Sequence, residues 1–292
     1  RKPVNILAFN MAVAQLLESV THQYNDLALQ FGEWRGVPSV QPRNVEAVAE
    51  HYEGHTPDER IISLGQAASS LILRPKVIIS DKTTDEILEH TSSGGVLLIV
   101  GNHIEGVDPL TYSAVLKQEP AFEHVRHDFI IPAKPIIFRI AGIRYLADGM
   151  GSFPTLRKKD VIEEDGTVTE ENRKYLSASA MFTTETVVSQ LVEGGCAAVL
   201  AEGQRNRDNP FEVQVFQKGA TFMYDEAVKA GAKVGILPAG IVYGGIGILR
   251  PTVHVGGLFV PIGKYSKQKS ESVRQEVQRS VDIARHTSYH RR

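Results

Sequence analysis

Short, continuous apolar runs alternate with helix-like patterns from about residue 75 onward, and this alternation constrains the fold most strongly. The runs are bounded by Gly, Pro or Asp and span 96–100, 128–132, 143–147, 196–201, 234–243 and 252–260. Helical patterns lie between them at 83–91, 109–118, 170–193, 217–231 and 266–286. Because strands that are covered on both sides appear as unbroken apolar runs, the pattern predicts an α/β fold. We expect a mixed, largely parallel sheet covered by helices on both faces, with a helical N-terminal appendage.

The first 78 residues follow a different, mostly helical pattern, with helices predicted over 4–30, 44–54 and 58–73. We therefore divide the chain into a helical N-terminal region, 1–78, and an α/β domain, 79–292. Within the first region, residues 5–20 carry apolar side chains at helical spacing. Two interpretations are open, packing onto the protein and contact with a membrane surface. Packing is favoured, because this segment lacks the Lys and Arg typical of helices in a membrane interface.

Composition and charge narrow the classes of partner. The hydrophobic fraction of 42% and the charged fraction of 23% are ordinary for a globular protein. A net charge of −2 gives no reason to expect nucleic acid as a partner. Cys196 is the single cysteine and lies in an apolar run, so we interpret it as a buried structural thiol. A chain that cannot form an internal disulfide fits a reducing compartment. We expect a cytoplasmic location, with peripheral membrane contact through 5–20 as the alternative.

The stretch "GGVLLIVGNHIEGVDP", residues 94–109, ends a predicted buried strand on His103 and Asp108. Asp is a preferred N-cap and Pro109 suits the first turn of a helix, so we expect a helix to start here. The Asp108 carboxylate would then accept the N–H of the His103 ring and leave its other nitrogen available as a base. The alternative is that Asp108 only caps the helix and that His103 is an ordinary loop residue.

A second strand runs into polar residues at "VLAEGQRNRDNP", residues 199–210, which contains Glu202, Gly203, Arg205 and Arg207. Guanidinium groups bind phosphate oxygens in pairs, so two arginines after a glycine turn suit capture of a phosphate. A solvated charged loop is the alternative.

Two further blocks carry candidate residues. The stretch 138–160, which follows the 128–132 run, contains five basic residues, Arg139, Arg144, Arg157, Lys158 and Lys159. The block "GILPAGIVYG", residues 235–244, contains Pro238, which predicts a sheet edge or a bulge at that point.

Taken in order, these blocks resemble the glycerol-3-phosphate and lysophosphatidate acyltransferases. "NHIEGVD" is similar to the family's N-H-x4-D block, and "AGIRYLADG" to its G-x-x-F-V-x-R block. "AEGQRNR" is similar to P-E-G-T-R-S-R, "FQKGA" to F-K-x-G-A, and "ILPAGIV" to V-P-V-x-I. The resemblance covers about residues 90–265. One departure reverses a charge, because Asp148 stands where the family has an arginine, and Arg144 or Arg157 is a candidate to replace it.

The resemblance implies an acyltransferase domain over 79–292. His103, oriented by Asp108, would remove the proton of an acceptor hydroxyl as the oxygen attacks an acyl thioester, either acyl-CoA or acyl-carrier protein. The acceptor would be a phosphorylated glycerol or a lysophospholipid. Its phosphate would be bound by residues of the "AEGQRNR" block, namely Glu202, Gly203, Arg205 and Arg207, with Arg144 of the "AGIRYLADG" block assisting. No metal and no other cofactor is implied.

Two other functions remain open at this point. An acyl-thioester hydrolase would use His103 to activate water, although the chain has no G-x-S-x-G element to supply a serine nucleophile. A non-catalytic lipid- or phosphate-binding protein would use Arg205 and Arg207 for binding alone. The paired His103 and Asp108 favour an enzyme over a binding protein.

Overall fold

The computed structural model describes residues 40–53, 57–139, 141–162, 166–244, 248–263 and 266–289. By its internal contacts the chain divides into two compact units. The first contains residues up to 56 together with 132–186, and the second contains 57–131 together with 187–292. The predicted boundary near residue 78 stays a prediction.

The described residues form eight α-helices and seven strands. The helices are α1 Val45–Tyr52, α2 Glu59–Leu73, α3 Asp81–Ser92, α4 Asp108–Gln118, α5 Ala141–Gly149, α6 Glu170–Val192, α7 Gly219–Lys229 and α8 Ser266–Tyr289. The strands are β1 Lys76–Ile78, β2 Val96–Gly101, β3 Phe129–Ala133, β4 Ser152–Pro154, β5 Cys196–Leu200, β6 Val234–Val242 and β7 Thr252–Val255.

The strands form one mixed sheet in the order β1-β7-β6-β2-β5-β3-β4. The pairs β1–β7, β6–β2, β2–β5 and β5–β3 are parallel, whereas β6–β7 is antiparallel. β3 crosses the division between the units, and its last residues belong with β4 to the first unit. The largely parallel α/β class predicted from the alternating pattern is therefore confirmed.

In the second unit, alternate residues of the sheet point to opposite faces and both faces are covered by helices. One face presents Leu97, Ile99 and Leu237 to a core that includes Ile62 of α2 and Ile87 of α3. The other face meets α8. A methyl group placed on Gly240 would lie 2.3 Å from the backbone nitrogen of Val281, so α8 packs directly against the backbone of β6. Cys196 is fully buried in β5, as predicted.

In the first unit, aromatic rings form the core. Tyr52 contacts Phe138 and Phe182, and Phe182 also meets Phe153 edge to face. The Tyr52 hydroxyl donates to the carboxylate of Asp148, and this carboxylate also pairs with Arg144. Burial is the main cause that raises the pKa of Tyr52, and the negative charge of Asp148 adds to it.

The strand predicted over 143–147 is wrong, because these residues lie in helix α5. The run is apolar, but the helix exposes Ile143, Tyr145 and Leu146 and buries Arg144. A helix brings residues four apart onto one face, which places Arg144 3.3 Å from Asp148. A short apolar run cannot distinguish a strand from a helix by periodicity alone.

The other long elements of the described residues agree with the predictions to within a few residues at each end, except β7, which ends at Val255 whereas the predicted run continues to residue 260. The predicted helix 4–30, with the proposed surface segment 5–20, lies outside the described residues. β1 and β4 were not predicted, since each has only three residues. Within the described ranges, none of the helices combines the length and apolar character needed to cross a bilayer.

Pro238 lies opposite a bulge, as the sequence predicted. β6 has three residue steps between Ile236 and Ala239, whereas the chain opposite has four between Val255 and Phe259. The missing N–H of Pro238 therefore falls where the antiparallel ladder is already interrupted.

Gly240→Ala should destabilise the protein by about 1–3 kcal/mol, because the added methyl must displace the backbone of α8. Urea unfolding measures the change. Gly219→Ala is the control, since a methyl placed on Gly219 has no atom within 4 Å among the described residues, and it should change stability by less than about 0.5 kcal/mol. Equal effects of the two substitutions would contradict the packing described for β6 and α8.

Candidate active site

Three neighbouring strands end at the same edge of the sheet and deliver polar residues to it. Gly101 at the end of β2 is in register with Leu200 of β5 and with Ala239 of β6. Because these three strands are parallel, the residues that follow them lie together at their carboxyl ends. The residues in question are His103, Glu202 and Tyr243.

Asn102 fixes the end of β2 to β6. Its side-chain amide donates to the carbonyl of Ile241 at 3.0 Å, and its amide oxygen accepts the Ile241 N–H at 2.8 Å. Both contacts are buried, and they continue the sheet ladder with a side chain after the strand itself has ended. The position of His103 relative to β6 therefore depends on this residue.

Asp108 is fully buried, and its carboxylate accepts four hydrogen bonds. Oδ2 accepts from Nδ1 of His103 at 2.8 Å and from the backbone N–H groups of Ile104 and Glu105 at 2.7 and 3.0 Å. Oδ1 accepts from the hydroxyl of Tyr243 at 2.6 Å. A buried charge needs such compensation, and here each oxygen has at least one donor.

The prediction that Asp108 is the N-cap of the helix is wrong. The N-cap is Val107, and Asp108 is the first residue of α4, with Pro109 following in the first turn. Its carboxylate turns back to the N–H groups of the preceding loop, and the helix receives no side-chain cap. Oδ2 already accepts from the histidine and from these two N–H groups, and Oδ1 accepts from Tyr243, so the carboxylate is directed away from the N–H groups of α4.

The hydrogen bond to Asp108 fixes the tautomer of the His103 ring. An ionised carboxylate only accepts, so Nδ1 carries the proton and Nε2 of the neutral ring is the basic nitrogen. Nε2 has no hydrogen-bond partner among the described residues, and the side chain keeps 11% of its surface exposed. The contact between His103 and Asp108, predicted from the motif, suits a general base whose side chain is partly accessible.

Glu202 connects the histidine to the loop that follows β5. One carboxylate oxygen accepts the backbone N–H of His103 at 2.9 Å, and the other accepts the N–H of Gln214 at 3.3 Å. Burial raises the pKa of Glu202, and these two hydrogen bonds oppose the rise. With both oxygens bonded to the backbone, Glu202 holds the shape of the site, and its predicted contact with acceptor phosphate stays a prediction.

The loop after β5 is tied directly to the histidine. It turns at Gly203, which has a φ of +67° that disfavours other residues. The N–H of Asn206 donates to the carbonyl of His103 at 2.7 Å, and the Asn206 amide donates to the carbonyls of Asn209 and Glu212. The loop is therefore ordered by internal polar contacts.

The two predicted phosphate-binding arginines lie on this loop, close to the turn formed by residues 103–108, here called the histidine turn. A methyl placed on Gly106 would lie 3.8 Å from Nη1 of Arg205, so this guanidinium adjoins the turn. Arg207 pairs with Glu105 at 2.7 Å and is about half exposed. Both guanidinium groups therefore lie against the turn that carries His103, one at Gly106 and one at Glu105.

Two tyrosines lie near Asp108, and only one of them bonds to it. Tyr243 donates to Asp108, whereas the Tyr112 hydroxyl is buried and has no partner in the described part of the chain. A Cβ on Gly101 would lie within 2 Å of that hydroxyl, so position 101 needs glycine. Burial first, and then the charge of Asp108, raise the pKa of both tyrosines, which keeps their hydroxyls protonated.

Arg144 lies in the first unit, buried and paired with Asp148. Arg157, the other candidate to replace the family arginine, is held by Asp160 at 2.7 Å. The predicted contribution of either to an acceptor site stays a prediction.

Sequence reasoning missed Asn102, Asn206 and Tyr243. Tyr243 had a usable signal, because it is the first residue after β6 and polar residues at the ends of parallel strands gather at sites. Asn206 lies between Arg205 and Arg207, and its contacts with Asn209 and Glu212 leave no distinctive local sequence pattern.

The acyltransferase family model matches residues 82–242, which is more than half of the chain. The matched segment contains β2, β5, β6 and the whole His103–Asp108 turn. The chain therefore belongs to the glycerolipid acyltransferase family and is an acyltransferase. No curated protein sequence matches it.

Asn102→Ala should destabilise the protein by about 2–4 kcal/mol, because it leaves the buried N–H and C=O of Ile241 without partners. Denaturant unfolding measures the loss. Gln118→Ala removes an exposed amide that bonds to Ser70 and should cost less than about 0.5 kcal/mol. A similar small cost for Asn102→Ala would show that the contact to β6 is dispensable.

Proposed function

We propose that this acyltransferase moves a fatty acyl group from a thioester, acyl-CoA or acyl-carrier protein, to a hydroxyl of a phosphorylated glycerol or a lysophospholipid. Family membership supports acyl transfer in general. The hydrogen bond between Nδ1 of His103 and Oδ2 of Asp108 carries the more specific proposal, because it leaves Nε2 as the base.

In the proposed reaction, Nε2 of His103 takes the proton of the acceptor hydroxyl as its oxygen attacks the thioester carbonyl carbon. The tetrahedral intermediate collapses, the C–S bond breaks, and the proton passes to the departing thiolate. Asp108 stabilises the positive charge on the ring between these two transfers. Holding the hydroxyl and the thioester together supplies a further part of the rate.

The acceptor is proposed to be anionic because of the arginines beside the histidine turn. Arg205 and Arg207 lie on a loop whose backbone is bonded to His103, so a phosphate held there would be close to the base. Arg207 is already paired with Glu105, and a phosphate carrying nearly two charges would compete with that single carboxylate.

His103→Ala should lower acceptor-dependent thiol release from a long-chain acyl-CoA by about 10²–10⁴-fold, the usual contribution of a general base. Release is measured with glycerol 3-phosphate and with lysophosphatidate, and also without acceptor. His124→Ala removes an exposed histidine of the same unit and serves as the control, with unchanged release. Release that ignores the acceptor would instead indicate a thioester hydrolase, and release that survives in His103→Ala would exclude this residue as the base.

Arg205→Ala should raise KM for the phosphorylated acceptor about tenfold or more while leaving KM for the acyl donor nearly unchanged. The reason is that a lost guanidinium weakens binding of the phosphate alone. Initial rates with each substrate varied in turn provide the comparison. Equal increases in both KM values would show that Arg205 has a different role.

A further inference from the structure

We propose that Tyr243 is a positioning residue of the catalytic pair, acting through Asp108 to set how strongly His103 holds a proton. The inference rests on the proposed role of His103 as the base. It assigns to the block "GILPAGIVYG", residues 235–244, a part in the chemistry as well as in the sheet.

The Tyr243 hydroxyl lies next to two polar side chains, those of Asp108 and Thr111. The Tyr243 oxygen lies 2.6 Å from Oδ1 of Asp108, and it lies 3.3 Å from Oγ1 of Thr111. Since the ionised carboxylate only accepts, the tyrosine proton is directed to Asp108, and Thr111 can approach the tyrosine oxygen only as a donor. Thr111 is buried in α4, and its hydroxyl also lies 3.3 Å from the carbonyl oxygen of Val107, to which it donates. The 2.6 Å contact with Asp108 is therefore the one that holds the tyrosine hydroxyl.

The two oxygens of the Asp108 carboxylate have different hydrogen-bond donors. Oδ2 receives the imidazole and two backbone N–H groups, whereas Tyr243 is the one donor to Oδ1 among the described residues. Tyr243 therefore helps to fix the rotation of the Asp108 carboxylate about the Cβ–Cγ bond. It also draws negative charge toward Oδ1 and away from the imidazole.

Other charged or titratable groups lie around the pair. These are Glu105 and Tyr112 from the histidine turn and α4, Glu202, Arg205 and Arg207 from the loop after β5, and Tyr243 from β6. Glu105 is neutralised by Arg207, and within the described residues Glu202 bonds only to backbone N–H groups. Of these groups, Tyr243 alone has a side chain bonded to the carboxylate of Asp108.

The consequence has a definite sign. Without the tyrosine hydroxyl, Asp108 keeps more negative charge facing the ring, which favours the protonated form of His103. Protonation of the base then persists to higher pH. The acid limb of the kcat/KM profile should therefore move to higher pH, and kcat should fall because the carboxylate is less well oriented.

The experiment compares Tyr243→Phe with Tyr112→Phe. Both variants lose one buried or half-buried hydroxyl near Asp108, but only the first loses a hydrogen bond to it. We expect Tyr243→Phe to lower kcat about tenfold, with KM little changed and the acid limb moved upward, whereas Tyr112→Phe leaves both unchanged. Urea unfolding of each variant confirms that it is folded.

A second readout does not depend on activity. The His103 ring is followed by NMR as pH is varied, with His103→Ala used to assign its signals. A midpoint that rises in Tyr243→Phe and stays in place in Tyr112→Phe supports the inference, even if no acyl transfer is found. An unmoved midpoint in Tyr243→Phe, or the same shift in both variants, overturns it. If the native protein shows no acceptor-dependent thiol release, the proposed function is overturned, independently of the result for Tyr243.

Discussion

The buried carboxylate of Asp108 is the contact on which the rest of the site depends. It joins three parts of the chain, namely the turn after β2, the first residue of α4 and the end of β6. A single buried charge is costly unless it is fully bonded, and here four donors converge on it. Three of those donors, the His103 ring and the N–H groups of Ile104 and Glu105, belong to the histidine turn, so the carboxylate orders that turn.

The topology explains why such distant residues meet. β6, β2 and β5 are adjacent in space although long stretches of sequence separate them, because parallel strands require crossover connections. The chain therefore reaches the carboxyl ends of these strands three times, and each time it places one polar residue there, His103, Glu202 or Tyr243. The backbone hydrogen bonds of the sheet stop where the strands end. Beyond that point, the side chain of Asn102 bonds to the backbone of Ile241, and the side chain of Glu202 bonds to the backbone of His103.

The sequence contained enough to predict the α/β class, the His103–Asp108 pair and the loop with Arg205 and Arg207, because each rests on a long apolar run or a local spacing. It did not predict helix α5, where a buried Arg144 depends on a partner one turn away. Nor did it predict that the Asp108 carboxylate turns backward, since that choice is made by tertiary contacts with the ring and with Tyr243. Distant side-chain contacts leave no local pattern to detect.

The hydrogen bonds between the histidine turn and the loop after β5 have an entropic consequence. The N–H of His103 is bonded to Glu202, and its carbonyl is bonded to the N–H of Asn206. Both segments therefore lose their conformational freedom when the chain folds, before any substrate arrives. The free energy gained on binding is then not spent on ordering these loops, and more of it remains for aligning the reacting atoms.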